Sequence, residues 1–132
     1  IVVDFGTSTN FDVVGPDGAY LGGAIAPGLE ISTDALVSGT AALRNVEFAE
    51  PRSVIGKGTV EAIQSGALYG HAGLVDGIIE RIAAELGGDV QRVATGGLAS
   101  TIVPHCHSVD TIDPYLTLEG LKIIYDLNRE TT

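Results

Sequence analysis

Apolar and polar positions alternate in blocks along this chain, and their spacing predicts the elements. Residues 1–3 (IVV) and 11–14 (FDVV) flank the segment Asp4-Phe5-Gly6-Thr7-Ser8-Thr9. β-Branched and aromatic runs around a Gly/Ser/Thr turn read as a β-hairpin. Gly15-Pro16-Asp17-Gly18 is turn punctuation, and residues 19–25 read as a third strand, giving an antiparallel meander. Gly22 and Gly23 lie inside that strand; glycine weakens a strand unless another backbone or a ligand comes close. Pro27-Gly28 ends it. Residues 29 to about 40 read as a helix, with Leu29, Leu36 and Val37 near one face. Pro27 suits the approach to its first turn. Residues 41–57 read as a mostly irregular, solvent-facing connection carrying Glu47, Glu50 and Pro51.

The longest element runs from about residue 58 to 86. Val60, Ile63, Ala67, Leu74, Ile78 and Ile82 recur at three- and four-residue steps and define the expected inward face. A second stripe is small: Ala62, Gly66, Gly70, Gly73 and Gly77. Each interior glycine costs roughly 1 kcal/mol relative to alanine. The stripe implies either close packing by a neighbouring helix, including one from a second subunit, or a helix broken between Gly70 and Gly73. Gly87-Gly88 stops the element. Residues 90–94 read as a strand feeding Thr95-Gly96-Gly97, followed by a short helix from about Leu98 and a brief strand near 107–109. Thr117 is the expected cap of a last helix, 118–127, with Leu118, Leu121, Ile124 and Tyr125 facing inward. The predicted order is β-β-β-α-α-β-α-β-α, an α/β layer pattern.

Composition narrows the classes. The 132 residues suit one domain, 1–132, which buries about two-thirds of its unfolded surface. Hydrophobic residues make up 45% and aromatics only 5%, so the core is built from Val, Ile, Leu and Ala. A net charge of −10 argues against a nucleic-acid surface, which needs a basic patch. It leaves phosphate binding open, because a local loop and a cation can offset phosphate charge. One cysteine excludes an internal disulfide framework and fits a reducing cytoplasm. No uncharged apolar run is long enough for a membrane span, and no basic, signal-like start is present. The chain has no methionine and begins at Ile1, inside an expected core strand. That leads to the expectation of a fragment of a longer protein.

The first hairpin turn carries the most chemistry. Asp4 ends one strand, Gly6 permits close backbone approach, and Thr7, Ser8 and Thr9 supply three hydroxyls. Hydroxyls with free backbone N–H groups, here those of Gly6 and Ser8, suit a phosphate oxygen. The same residues also make ordinary turns. Neither G-x-x-x-x-G-K-[ST] nor a strand-to-helix G-x-G-x-x-G is present, and Gly6 stands where a D-x-D-x-T loop needs a carboxylate. Asp4 reads either as a turn cap or as a buried charge requiring a cation or N–H partners. Thr59 opens the long helix, whose first turn favours anions; it otherwise serves only that helix. Gly96-Gly97 by itself fits any tight strand-to-helix turn. His105-Cys106-His107 has no usual zinc spacing. His71 reads as a hydrogen-bonded core histidine, and Asp12 and Asp17 as turn or ladder-edge charges.

DFGTST followed by FDVV, GGAIAPG at 22–28, GKGTVEAIQSG at 56–66, ATGGLA at 94–99 and LTLEGL at 116–121 occur in order along nearly the whole chain. Together they resemble the type III pantothenate kinase family, of the acetate and sugar kinase, Hsc70 and actin superfamily. The resemblance covers the C-terminal half of that family's protein. It implies one half-domain of the actin-like (ribonuclease H-like) ATPase fold, with a three-strand antiparallel meander plus parallel strands and helices. It implies ATP contacts at Gly6, Thr7, Ser8 and Gly96, a pantothenate contact at Thr59, and a monovalent cation, K+ or NH4+, at Asp4. Mg2+ would accompany ATP, and the pantothenate pocket would be completed in a cytoplasmic homodimer. The implied reaction is phosphorylation of pantothenate to 4′-phosphopantothenate, the first step toward coenzyme A.

Two family features are missing from these residues. The general base belongs to a G-x-D-R motif, and the complete enzyme has a second D-x-G-T loop; this sequence has no G-x-D-R and one D-x-G-T, at 4–7. No residue here is therefore assigned as catalytic, and the piece alone is expected to be inactive. Two alternatives stand beside this expectation: a non-catalytic regulatory or binding relative, and another sugar-kinase-like phosphotransferase.

Overall fold

The alternation at the start of the chain produces the hairpin it predicts. In a computed structural model that describes residues 1–39 and 46–129, β1 (Val2–Phe5) and β2 (Ser8–Val14) pair antiparallel, with Phe5 opposite Thr9 and Val2 opposite Asp12. β3 (Tyr20–Pro27) adds antiparallel to β2, with an irregularity between Val13 and Val14. Gly23 is required by close approach: a Cβ there would run into the carbonyl of Phe11.

β4 (Val93–Thr95) pairs parallel to β1, and β5 (Thr111–Ile112) parallel to β4. The five-stranded mixed sheet thus has the order β3-β2-β1-β4-β5. Its helices are α1 (Leu29–Ser38), α2 (Thr59–Leu86), the short α3 (Ala99–Ile102) and α4 (Leu116–Arg129). This is the α/β half-domain expected. The far end of the first helix, near Thr40, and residues 41–45 of the expected connection lie outside the described residues.

One face of the sheet meets α2. Val3, Phe5 and Phe11 are essentially fully buried there, in one cluster with Ala72, Val75 and Ile79. Strand side chains alternate faces, so Asp4, Asn10 and Asp12 fall on the opposite side. The helix is uninterrupted over 28 residues, which rules against a break between Gly70 and Gly73. Glu61 reaches back to the Lys57 N–H at 3.0 Å, and Gly87 closes the other end in the left-handed conformation.

The buried row of α2 differs from the expected one. Ala72, Val75 and Ile79 lie in the core cluster and Leu68 is fully buried, while of the expected row Ile63 is buried, Ala67, Leu74, Ile78 and Ile82 are partly buried against the cluster, and Val60 is exposed. Both rows have helical period, because the middle of α2 is apolar or small nearly all round. The sheet selects one of them. On the remaining side, added Cβ atoms at Gly66, Gly70 and Gly73 would meet nothing within 4 Å, so no part of the described chain packs on these three glycines, whereas Arg81 lies over Gly77 and Gly56 presses on Ala62.

Two further expectations are corrected. The last strand lies at Thr111–Ile112 rather than near 107–109. Buried Asp76 of α2 captures the N–H groups of His107 and Ser108, at 3.1 and 3.0 Å, and the Ser108 hydroxyl. Those groups are then unavailable to a strand ladder. The last helix starts at Leu116, which places Thr117 inside it rather than at its cap. Asp113 instead accepts the Tyr115 N–H at 2.9 Å just ahead of the helix. Leu118, Leu121, Ile124 and Tyr125, expected inward, are 58–62% exposed. Their periodicity marks a face suited to burial, but within the described residues that face is open.

Candidate functional site

At one end of the sheet three turns converge. The β1–β2 turn, Gly6-Thr7, is closed by the Gly6 N–H donating to the Ser8 carbonyl at 3.0 Å. Gly28, the residue capping α1, donates its N–H to the Thr7 carbonyl at 3.2 Å. It lies so close that a Cβ at 28 would strike the Thr7 carbonyl. The turn is thereby seated at the positive end of the α1 dipole, where phosphate oxygens are favoured.

The third turn is the one after β4. Gly96 has φ +95, and an added Cβ would lie 2.5 Å from Asp4 Oδ1 and 2.6 Å from the Phe5 backbone nitrogen and oxygen. Only glycine satisfies both the backbone conformation and this approach. Leu98 then donates its N–H to the Phe5 carbonyl at 3.3 Å. Residues 4 and 96, 92 positions apart in sequence, are neighbours because β1 and β4 are adjacent parallel strands.

Asp4 is half-buried and sits mid-row, opposite Asn10 on β2 and beside Thr95 on β4. This row of oxygen-bearing side chains lies on the face that α2 does not cover. The three hydroxyls of the turn diverge. Thr7 is exposed at the tip, Ser8 donates to Asn10 Oδ1 at 3.0 Å, and Thr9 is 1% exposed beneath the loop. Of the two N–H groups expected to face a ligand, that of Gly6 is already used within the turn.

Thr59 is elsewhere. It is the first residue of α2, exposed, and lines a groove of about 410 Å3 with Ser32, Thr33 and Leu36 of α1 and Ile63 and Gly66 of α2. Helix α1 links the two regions, its start at the loop and its flank along the groove. A separate recess of about 350 Å3 adjoins Gly96 and Gly97 and includes Thr95, Ser100 and Thr117. Sequence reasoning missed Gly28, Asn10 and Ser100. The Pro27-Gly28 pair reads as a strand end and a helix approach, and nothing local in it shows that Gly28 presses on the turn at Thr7.

The histidine–cysteine triplet is dispersed. His105 stacks edge-on against Tyr69 and lies 3.6 Å from Glu50, while His107 turns toward Asp76 and Glu80. Burial, aided by the charge of Asp76, pushes the Cys106 thiol up to about 12, so it stays protonated. Asp12 accepts from the Tyr20 hydroxyl, and Asp17 from the Ala19 N–H, as ladder-edge and turn carboxylates do. No helix of the described residues is long and apolar enough to cross a membrane.

A family model described as type III pantothenate kinase matches residues 1–81. Proteins named type III pantothenate kinase are similar across almost the whole chain. One from Frankia alni is 57% identical over 128 residues, covering 97% of this chain and 51% of the relative. One from Rhodococcus opacus is 59% identical over 133 aligned positions, covering 98% and 49%. One from Roseiflexus is 54% identical over 129 residues, covering 98% and 51%. The chain thus spans about half the length of the curated relatives it matches. Among solved structures, a Baf family transcriptional activator from Campylobacter jejuni superposes with a TM-score of 0.65 at 22% identity, over 98% of this chain and 58% of that one; this likeness concerns the fold. With more than half of its residues matched by the family model, the chain belongs to the type III pantothenate kinase family.

Proposed function

We propose that this chain is one half of an ATP-dependent pantothenate kinase, which transfers the γ-phosphate of ATP to the pantothenate hydroxyl and forms 4′-phosphopantothenate. The observation that carries the reading is the convergence of Asp4, the Gly6-Thr7-Ser8 turn and Gly96 at one sheet end, with the turn seated on the start of α1. Phosphoryl transfer is chiefly positioning plus charge neutralisation, and this end of the sheet offers both. The Thr7 hydroxyl and the loop backbone contact phosphate. The recess beside Gly96 and Gly97 takes the nucleoside end, with Ser100 and Thr117 as hydroxyl partners. Thr59 orients pantothenate from the groove between α1 and α2.

Asp4, with Asn10 and Thr95 in the same row, supplies hard oxygen donors suited to K+ or NH4+. Mg2+ accompanies ATP. These cations supply positive charge beside the phosphates, which a protein of net charge −10 does not provide in bulk. The open glycine stripe of α2 is the contact between two copies, in a cytoplasmic homodimer that completes the groove at Thr59. The active enzyme is the longer protein, whose other half brings the general base and the first phosphate loop. The 132-residue chain alone is inactive.

The test is pantothenate-dependent ADP formation by the full-length protein in K+, NH4+ or Na+. Turnover is expected with K+ and NH4+, with little in Na+ and none from residues 1–132 alone. Asp4→Asn should remove the advantage of K+. A full-length protein that forms no ADP with pantothenate under any of these ions rejects the assignment.

A further inference from the structure

Two strands lead into the phosphate turn, and one helix side chain touches both. Phe5 ends β1 and Thr9 stands opposite it on β2, so this pair is the last rung before Gly6, Thr7 and Ser8. Both residues are 1% exposed. His71, midway along α2 and itself 6% exposed, meets each of them. Its Nε2 lies 2.9 Å from Thr9 Oγ1, across 62 residues of sequence. Its ring is tilted against that of Phe5, with centroids 6.4 Å apart.

A buried polar pair is an uncommon choice at this depth. Burying an imidazole and a hydroxyl costs desolvation that their hydrogen bond must offset, and a Leu–Val pair would fill similar space. What the polar pair adds is direction. A hydrogen bond weakens steeply when its angle or length departs from the optimum, whereas apolar contact tolerates sliding. The pair therefore holds β2 at a set height above α2, just past the turn. The turn is held from above by Gly28 and at its side by Gly96; His71 holds it from below.

We propose that His71 is a positioning residue for the phosphate turn. Through Thr9 and Phe5 it sets how the two strands end, and hence where Gly6, Thr7 and Ser8 present their groups. His71 touches no substrate. The inference rests on the reading that this turn contacts ATP, and errors of about 1 Å in such placement cost up to about 100-fold in rate.

The experiment uses the full-length protein with Thr9→Val, His71→Leu, the double variant and His71→Gln, whose amide nitrogen can stand in for Nε2. The KM values for ATP and pantothenate are measured, together with the backbone amide NMR shifts of Gly6, Thr7 and Ser8 without nucleotide. Thr9→Val and His71→Leu should each raise the ATP KM about five- to tenfold, as loss of one oriented hydrogen bond does, with the pantothenate KM unchanged. The double variant should match the singles, because one interaction is removed in each. His71→Gln should recover most of the loss, and the turn amides should shift in His71→Leu and return in His71→Gln. An ATP KM within about twofold of wild type in both single variants, with unmoved amides, overturns the proposal. So does an equal rise in both KM values accompanied only by lower thermal stability, the mark of a packing role. A wild-type protein without turnover would reject the kinase reading alone, and the amide shifts would still decide whether His71 sets the turn.

Discussion

Gly28 lies where any side chain would strike the backbone of the Gly6-Thr7 turn. Its φ of −68 is ordinary, so the constraint is space rather than conformation. Gly28→Ala should push the turn away from the start of α1. We expect a stability loss of about 1–3 kcal/mol, as for other overpacked sites, and a loss of thermal stabilisation by ATP, read together by urea denaturation and melting with nucleotide. His71 adds a pH dependence at the same scale. Burial holds its imidazole below the ordinary value of 6.5, so the unfolded chain binds this proton more readily than the folded one. Stability from this group is complete above the ordinary value and declines as pH falls toward the lower folded one. Urea midpoints between about pH 7.5 and 5 should therefore fall less steeply in His71→Gln than in wild type.

Helix α2 shows what periodicity can and cannot say about an element. Its length, its start near Gly58 and its stop at Gly87 follow from spacing and caps. Its inward face follows only in part, because of the expected row Ile63 is buried, Ala67, Leu74, Ile78 and Ile82 flank the buried seam of Ala72, Val75 and Ile79, and Val60 is exposed. The two rows make different predictions for truncation. Ile79→Ala, at a site with 0% exposure, should cost about 2–5 kcal/mol. Val60→Ala, at 53% exposure, should stay within about 0.5 kcal/mol. Comparable losses at the two positions in urea denaturation would mean that the sheet does not meet α2 along this seam. Helix α4 carries the same lesson further: its amphipathic period is plain, yet its apolar face is exposed here.

For the whole molecule, the open side of α2 links stability to assembly. Gly73 has room for a methyl group and lies in a helix interior. Gly73→Ala should therefore stabilise an isolated chain by about 0.5–1 kcal/mol through helix propensity and reduced unfolded-state freedom. If two copies meet along this stripe, the same methyl group holds their backbones apart. Sedimentation should then show weaker self-association of the full-length variant. Unchanged association would move the dimer contact away from Gly66, Gly70 and Gly73.

The sequence by itself determined the local units: the opening hairpin, the meander, the long helix with its glycine stop, and the turn motifs that carry the family resemblance. Each rests on interactions within a few residues or on a fixed period. The tertiary structure decided which residues share a site. Gly96 reaches Asp4 because β4 lies beside β1, Gly28 grips the turn because α1 starts there, and His71 meets Thr9 because α2 crosses beneath β2. It also decided that Asp76 takes the N–H groups where a strand was expected. These pairings join residues tens of positions apart, and no local period records them. They follow from strand order and from the one face of each helix that the sheet accepts.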